Sequence, residues 1–135
     1  MRQSIEPFTL LAQETGTLGV YPALTLSDSF RAQRHYHLTA VSIMAAISNP
    51  GIPPMGIFLV VGRDDPTFSA SLVGNIVAQL FAGNASTDKS EWLDFGDYFV
   101  DVPSGCPLSL YSCGGVVNPA QPLIGVCTVH LVPVP

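Results

Sequence analysis

The sequence predicts an all-β protein, an antiparallel β-sandwich of about eight strands. Glycine and proline, twelve of each, lie between short apolar runs along the whole 135-residue chain. This pattern is typical of short strands joined by turns. No linker or internal repeat divides the chain, and its length is that of one domain. We therefore expect a single β-sandwich over residues 22–135, preceded by a segment, residues 1–21, that is either an extended N-terminal arm or the first strand.

Eight runs of the sequence carry strand signals between turn residues. In chain order they are residues 8–12, 23–26, 35–44, 57–61, 70–82, 92–102, 108–111 and 123–132. Both faces of the run 35–44 are fairly apolar, which indicates a strand covered on both sides. The run 70–82 also fits a helical stripe, but its interior Gly74 and Asn75 favour a strand.

Charged residues are scarce and unevenly distributed. Only 15 of the 135 residues are Asp, Glu, Lys or Arg, and residues 35–62, 66–87 and 102–135 contain none, whereas about a quarter of an ordinary soluble domain is charged. Proline, glycine or asparagine interrupts each stretch, so none is a membrane span. We therefore expect burial against other protein in a homo-oligomer, a dimer or trimer. The interface candidates are Phe8, Leu10, Leu11, Tyr36, Leu38, Val129 and Leu131.

The net charge and the cysteines limit the partners and the compartment. A net charge of −5 repels phosphate backbones and anionic headgroups, so nucleic acid and membranes are not expected partners. Residues 1–6 lack the features of a secretory signal. Cys106, Cys113 and Cys127 are an odd number, which favours three reduced, mostly buried thiols in a protein assembled in a cytoplasm, with a Cys106–Cys113 bridge as the alternative.

No motif predicts catalysis, a cofactor or a metal, so we expect no enzyme. His35 and His37 are two apart on one strand and could face one metal ion, but a third ligand, such as His130, is not placed nearby by the sequence. We interpret them as ordinary strand histidines. The acidic residues of the next segment lack the spacing of a calcium loop; they are Asp88, Glu91, Asp94, Asp97 and Asp101.

One aromatic group supports a different function. Trp92 together with Tyr98 or Tyr111 could form a platform on which a sugar ring stacks. A carbohydrate-binding or receptor-binding β-sandwich module is therefore the alternative to an assembly role. We favour core and interface aromatics, because a sugar site also needs several polar side chains that converge on the rings.

Residues 97–111 include the turn sequence Val-Pro-Ser-Gly-Cys-Pro-Leu, followed by alternating leucine and tyrosine. Over residues 92–132 the chain resembles the small jelly-roll subunits that decorate or cement the heads of tailed bacteriophages, and apolar residues 124–132 suit their closing strand. The resemblance implies jelly-roll topology and a structural virion protein without enzymatic activity. It implies a location on the capsid exterior after assembly in the host cytoplasm, with the major capsid protein or another virion protein as partner.

Overall fold

The structure, a computed structural model, describes residues 4–46, 55–70, 75–82, 88–117 and 122–135. Within these residues no helix has the length and apolarity that a membrane crossing requires. The described residues form twelve strands: β1 (Glu6–Glu14), β2 (Gly16–Thr17), β3 (Ala23–Arg31), β4 (Tyr36–Ala46), β5 (Met55–Val61), β6 (Thr67–Ser69), β7 (Ile76–Ala82), β8 (Asp88–Asp94), β9 (Val100–Val102), β10 (Pro107–Cys113), β11 (Val116–Val117) and β12 (Leu123–Pro133).

Ten of the strands pack as two antiparallel sheets, which confirms the predicted sandwich, and the short strands β2 and β11 pair with each other. The first sheet has the order β1-β12-β4-β8, with β9 also paired to β4, and the second has the order β6-β3-β10-β5-β7. Strands that follow one another in sequence mostly alternate between the two sheets, and the last long strand, β12, returns to lie between β1 and β4. This winding is the jelly roll. The run 70–82 contains strand β7, so the strand interpretation is confirmed for its described part, while residues 71–74 lie outside the described residues.

A core of aliphatic side chains fills the space between the sheets. The first sheet contributes Leu38, Ile43 and Val129, and the second contributes Leu59 and Leu110, all fully buried. Strands β1 and β12 of the first sheet alternate inward apolar and outward side chains, which is the pattern of a sheet with one solvated face. The inward-facing side chains of the sheet form the core, and its outward-facing side chains remain available for contact with a partner.

The N-terminal segment contains an integral strand of the first sheet. Strand β1 pairs with β12 from Glu6↔Leu131 to Glu14↔Leu123, and the side chains of Leu10 and Ala12 are buried in the core. Of the two alternatives for residues 1–21, the structure therefore has the first strand at residues 6–14. The physical reason is the alternation within this run, which turns every second side chain into the sandwich.

A bulge in β4 changes the face on which its side chains lie. Ala40 is opposite His130, but Leu38 is already opposite Leu131, so Thr39 is an extra residue in this strand. Beyond the bulge the buried positions change from even to odd residue numbers. The outward side chains of β4 include Met44, which is 49% exposed, so the described residues cover this strand on one face and not on both as expected.

The strand predicted over residues 92–102 is divided into β8 and β9. Ala40 pairs with Asp94 of β8, whereas Leu38 pairs with Val100 of β9. Between them the chain leaves the sheet in a turn in which the Gly96 N–H donates to Asp94 Oδ1 at 2.9 Å. An aspartate that accepts from the backbone two residues on is a local turn signal, and here it outweighs the apolar alternation.

The Val-Pro-Ser-Gly-Cys-Pro-Leu sequence makes the crossing from the first sheet to the second. The Cys106 N–H donates to the Pro103 carbonyl at 3.0 Å, and Gly105 has φ +84°. Gly105 is the third residue of the turn that this bond closes, and a positive φ at that position favours glycine. The turn therefore fixes how β10 enters the second sheet.

The second sheet is covered on its outer face as well as on its inner face. Phe58, Val60 and Tyr111 lie on the face opposite the main core and are fully buried. The segment after β5 folds over them, and the Tyr111 hydroxyl donates to the Asp65 carbonyl at 2.7 Å. Burial is the main cause that raises the pKa of Tyr111 to about 12. The phenol therefore remains a neutral donor and holds this cover in place.

Candidate functional site

The outer face of the first sheet presents a group of apolar side chains to solvent. Leu11 and Met44 are each 49% exposed and Ile124 is 38% exposed, and Val126 is half-buried between them. Leu11 pairs with Val126 and Val126 pairs with Met44, so these residues are direct neighbours across three strands. We call Leu11, Met44, Ile124 and Val126 the outer patch.

A shallow recess lies within the outer patch. It has a volume of about 210 Å³ and is lined by Met44, Ala45, Ala46, Ile124 and Val126. Ala46, the small residue paired with Ile124, leaves this depression beside the larger side chains. It matches the size of one large apolar side chain from a partner, the type of anchor found at the centre of protein interfaces.

Polar side chains border the outer patch on one side. The next row of paired residues across the sheet is Thr9, Thr128, Ser42 and Trp92. Three members of this row carry hydroxyl groups, and Thr9 Oγ1 and Thr128 Oγ1 are 3.4 Å apart. An apolar centre with a polar border is the usual anatomy of a protein interface.

Most of the interface candidates named from the sequence lie inside the sandwich. Leu10, Tyr36, Leu38, Val129 and Leu131 are at most 4% exposed. They belong to the core of the chain itself, so their surface is not available to a partner.

The two other candidates lie at the surface to different degrees. Phe8 is half-buried and stacks on Phe30, with ring centroids 5.1 Å apart. Leu11 faces outward and is part of the outer patch. The sequence analysis missed Met44, Ile124 and Val126, because the exposed phase of β4 and β12 depends on the pairing between strands.

The aromatic platform is only partly available. Tyr111 is fully buried and cannot contact a sugar, whereas Trp92 is 58% and Tyr98 is 89% exposed. The indole of Trp92 packs edge-on against the His130 imidazole, with ring centroids 5.0 Å apart. Trp92 therefore extends the outer patch toward His130.

A histidine pair and one aspartate meet at the opposite end of the same outer face. His37 of β4 pairs directly with Asp101 of β9, and His35 lies two residues earlier on the chain. The Nε2 atoms of His35 and His37 are 2.5 Å and 3.7 Å from Asp101 Oδ1. His130, which the sequence suggested as a third donor, contacts Trp92 instead.

The three cysteines are free thiols. Cys106 and Cys113 bracket strand β10 and are therefore about 20 Å apart in an extended strand, beyond the reach of about 7 Å that a disulfide allows. Burial is the main cause that raises the pKa of Cys113 to about 11 and the pKa of Cys127 to about 12. Such thiols are poor nucleophiles at neutral pH.

The chain matches no protein-family model and no curated protein. Among solved structures it is similar to tomato aspermy virus, with 13% identity, a TM-score of 0.48, and coverage of 100% of this chain and 81% of that chain. For Desmodium yellow mottle tymovirus the values are 12% identity, a TM-score of 0.44, and 98% and 88% coverage.

The chain is also similar to the protein of Bacillus endospore appendages, described as a family of disulfide-linked pili. The identity is 10%, the TM-score is 0.45, and the alignment covers 100% of this chain and 93% of that chain. All three TM-scores lie below 0.5, so no function of this chain follows from them. Its fold follows from its own strand order.

Proposed function

We propose that this chain is a structural virion protein, a capsid decoration or cement subunit. It self-associates and holds neighbouring capsid proteins on the capsid exterior through the outer patch. The observation that carries the assembly role is the exposure of Leu11, Met44 and Ile124 side by side on the first sheet. Contiguous apolar surface of this kind marks interaction sites on soluble proteins.

The energy of burying the outer patch is sufficient for a central contact but not for a whole interface. A fully buried Leu, Ile or Met side chain contributes about 1.5–3 kcal/mol, and these three are already about half buried. Association costs at least about 4 kcal/mol in lost translational and rotational freedom. The polar row that contains Thr9 and Thr128 must therefore also be covered, with the outer patch as the anchor.

The second sheet supports the same choice of surface. Its outer face is occupied by its own chain, because Phe68 packs edge-on against Tyr111 with ring centroids 4.4 Å apart and Tyr21 stacks over Phe58. Phe58 and Tyr111 are thereby removed from water, although Tyr21 of the cover is itself 52% exposed. Of the two outer sheet faces, as far as the described residues show them, the first is therefore the one suited to a partner.

The virion location is supported by the resemblance of residues 92–132 to the decoration subunits of tailed bacteriophages. The fold does not distinguish this role from sugar binding, since jelly rolls occur in viral capsid domains and in lectins. The carbohydrate alternative rests on Trp92 and Tyr98, which are exposed, because the other predicted partner, Tyr111, is buried. We therefore retain the assembly role as the proposed function.

A lysine in the outer patch is expected to abolish self-association. In Met44→Lys a charge replaces an apolar side chain that lines the recess, and burying an unpaired ammonium against a partner is strongly unfavourable. Light scattering at micromolar concentration should show an oligomer for the wild-type chain and a species near 14.3 kDa for the variant. Ser104→Lys, at the exposed turn before β10, is the matched control and should remain oligomeric. A wild-type monomer, or equal dissociation of both variants, would contradict the proposal.

The virion role predicts that the chain is an abundant component of purified particles. Quantitative mass spectrometry of gradient-purified virions should detect it in a fixed ratio to the major capsid protein. Particles assembled with Met44→Lys should lack it, because the outer patch provides the contact. Its absence from wild-type particles would refute the virion location, whereas the light-scattering result would still stand for the assembly surface.

A further inference from the structure

The cluster of His35, His37 and Asp101 has the donor atoms of a metal site. One candidate ligand atom from each residue lies within 4.8 Å of the others. Two of these donors are imidazole nitrogens and one is a carboxylate oxygen. Imidazole donors suit zinc, copper, nickel and iron, whereas calcium and magnesium prefer oxygen donors alone.

The positions of these residues are fixed by the backbone of the first sheet. His37 and Asp101 are direct partners in the β4–β9 pairing, and His35 is two residues from His37, which places it on the same face. The carbonyl of His35 also accepts a hydrogen bond from the Val134 N–H at 3.0 Å. The backbone before β4 is therefore tied to the end of β12, and the approach of the three side chains does not depend on a loose loop.

The rings around the cluster hold the imidazoles in place. The Phe99 ring stacks on His37, with centroids 3.6 Å apart and planes 14° apart. The two imidazoles are edge-to-face, with centroids 5.6 Å apart. The Nε2 atoms of His35 and His37 both face Asp101 Oδ1.

Small side-chain movements are sufficient to bind an ion. Donors about 2.0–2.2 Å from a tetrahedral zinc ion are roughly 3–3.5 Å from one another. The His37–Asp101 distance of 3.7 Å is close to this spacing, and the 2.5 Å between His35 and Asp101 needs to open. The side chains are 42%, 30% and 57% exposed for His35, His37 and Asp101, so an ion can enter from solution and keep water on its remaining positions.

We propose that His35, His37 and Asp101 bind one divalent transition-metal ion, with zinc as the probe. The ordinary alternative is an ion pair of both histidines with Asp101, which at the surface contributes little to stability. In that alternative His37 is only a distant partner at 3.7 Å, whereas an ion between the donors explains why the stacked Phe99 ring holds His37 at this spacing from the same oxygen. The site is independent of the outer patch.

Isothermal titration calorimetry of the full chain with zinc chloride in chelator-treated buffer tests the proposal. We expect one zinc ion per chain with micromolar affinity and no binding of magnesium. Asp101→Asn and His35→Gln should each weaken zinc binding at least about tenfold. His130→Gln removes a histidine of the same outer face that lies against Trp92, and this control should bind zinc as the wild type does.

Cobalt(II) absorption gives a second readout that does not depend on heat. Bound cobalt should show the visible bands of imidazole and carboxylate ligation in the wild type and in His130→Gln, and these bands should disappear in Asp101→Asn. Circular dichroism confirms that each variant is folded. The proposal is overturned if the wild type binds no zinc, if Asp101→Asn retains full affinity, or if His130→Gln loses as much as the cluster variants.

Discussion

A chain that lacks residues 1–14 is expected to show no cooperative thermal unfolding transition. The deletion removes strand β1, which pairs with β12 along nine consecutive positions, and with it the buried side chains of Leu10 and Ala12. Loss of a buried leucine side chain alone costs about 2–5 kcal/mol, and a domain of this size is stable by only about 5–15 kcal/mol. Circular dichroism during heating measures the effect.

A matched pair of substitutions separates the two faces of β1. Leu10 is 1% and Leu11 is 49% exposed, although they are adjacent in sequence. Leu10→Lys should abolish the transition, because a lysine in the core leaves an unpaired buried charge. Leu11→Lys and the wild-type chain, measured at the same low protein concentration, should have the same melting temperature. A truncated chain that still melts cooperatively would mean that the segment is a dispensable arm.

Gly125→Val is expected to lower the free energy of unfolding by about 1–3 kcal/mol, because the added side chain overfills the core. A Cβ atom at Gly125 would lie 2.9 Å from the Cδ1 and Cγ2 atoms of Ile57 in the opposite sheet. Gly125 pairs with Ala12 on one side and Ala45 on the other. The three small residues form a row that leaves room for the isoleucine.

The double variant tests whether Ile57 is the cause. Ile57→Ala alone should cost about 2–5 kcal/mol, because it leaves a cavity. Gly125→Val combined with Ile57→Ala should cost less than the sum of the two single changes, since the valine fills part of that cavity. Urea unfolding followed by circular dichroism gives the three free energies. Thr128→Val, on the outer face of the same strand, is the control, and additive free energies at Gly125 and Ile57 would contradict the explanation.

The positions of the strands could be predicted from the sequence because local signals mark them. Glycine and proline at their ends and short apolar runs within them are visible without knowledge of the pairing. The jelly-roll topology was implied by the resemblance of residues 92–132, which include the turn with Gly105 before Leu108, and did not follow from the strand signals themselves. Division of the run 92–102 was missed because the apolar alternation of this run hides the local turn signal of Asp94 and Gly96.

The outward residues were harder to identify than the strands. The charge-free stretches indicated burial, but most of that burial is internal: all seven residues of β10 are buried under the main core on one side and the cover on the other. Apolar sequence alone therefore could not separate Leu10 from Leu11. The role of Asp101 beside His37 was equally hidden, because the residues that meet across two strands depend on register, which the spacing within one strand does not contain.

The cover over the second sheet makes the two outer faces of the sandwich different. We call the open outer face of the first sheet the front and the covered outer face of the second sheet the back. At the back, Phe58 and Tyr111 are sealed under the chain's own Phe68 and Tyr21, so the proposed function assigns adhesion to the front, where the outer patch lies. Bodies that adhere on one side form closed pairs or a single layer on a surface, whereas fibres need two complementary faces. A coat made of such molecules is one molecule thick, and it stops growing when the surface beneath it is full.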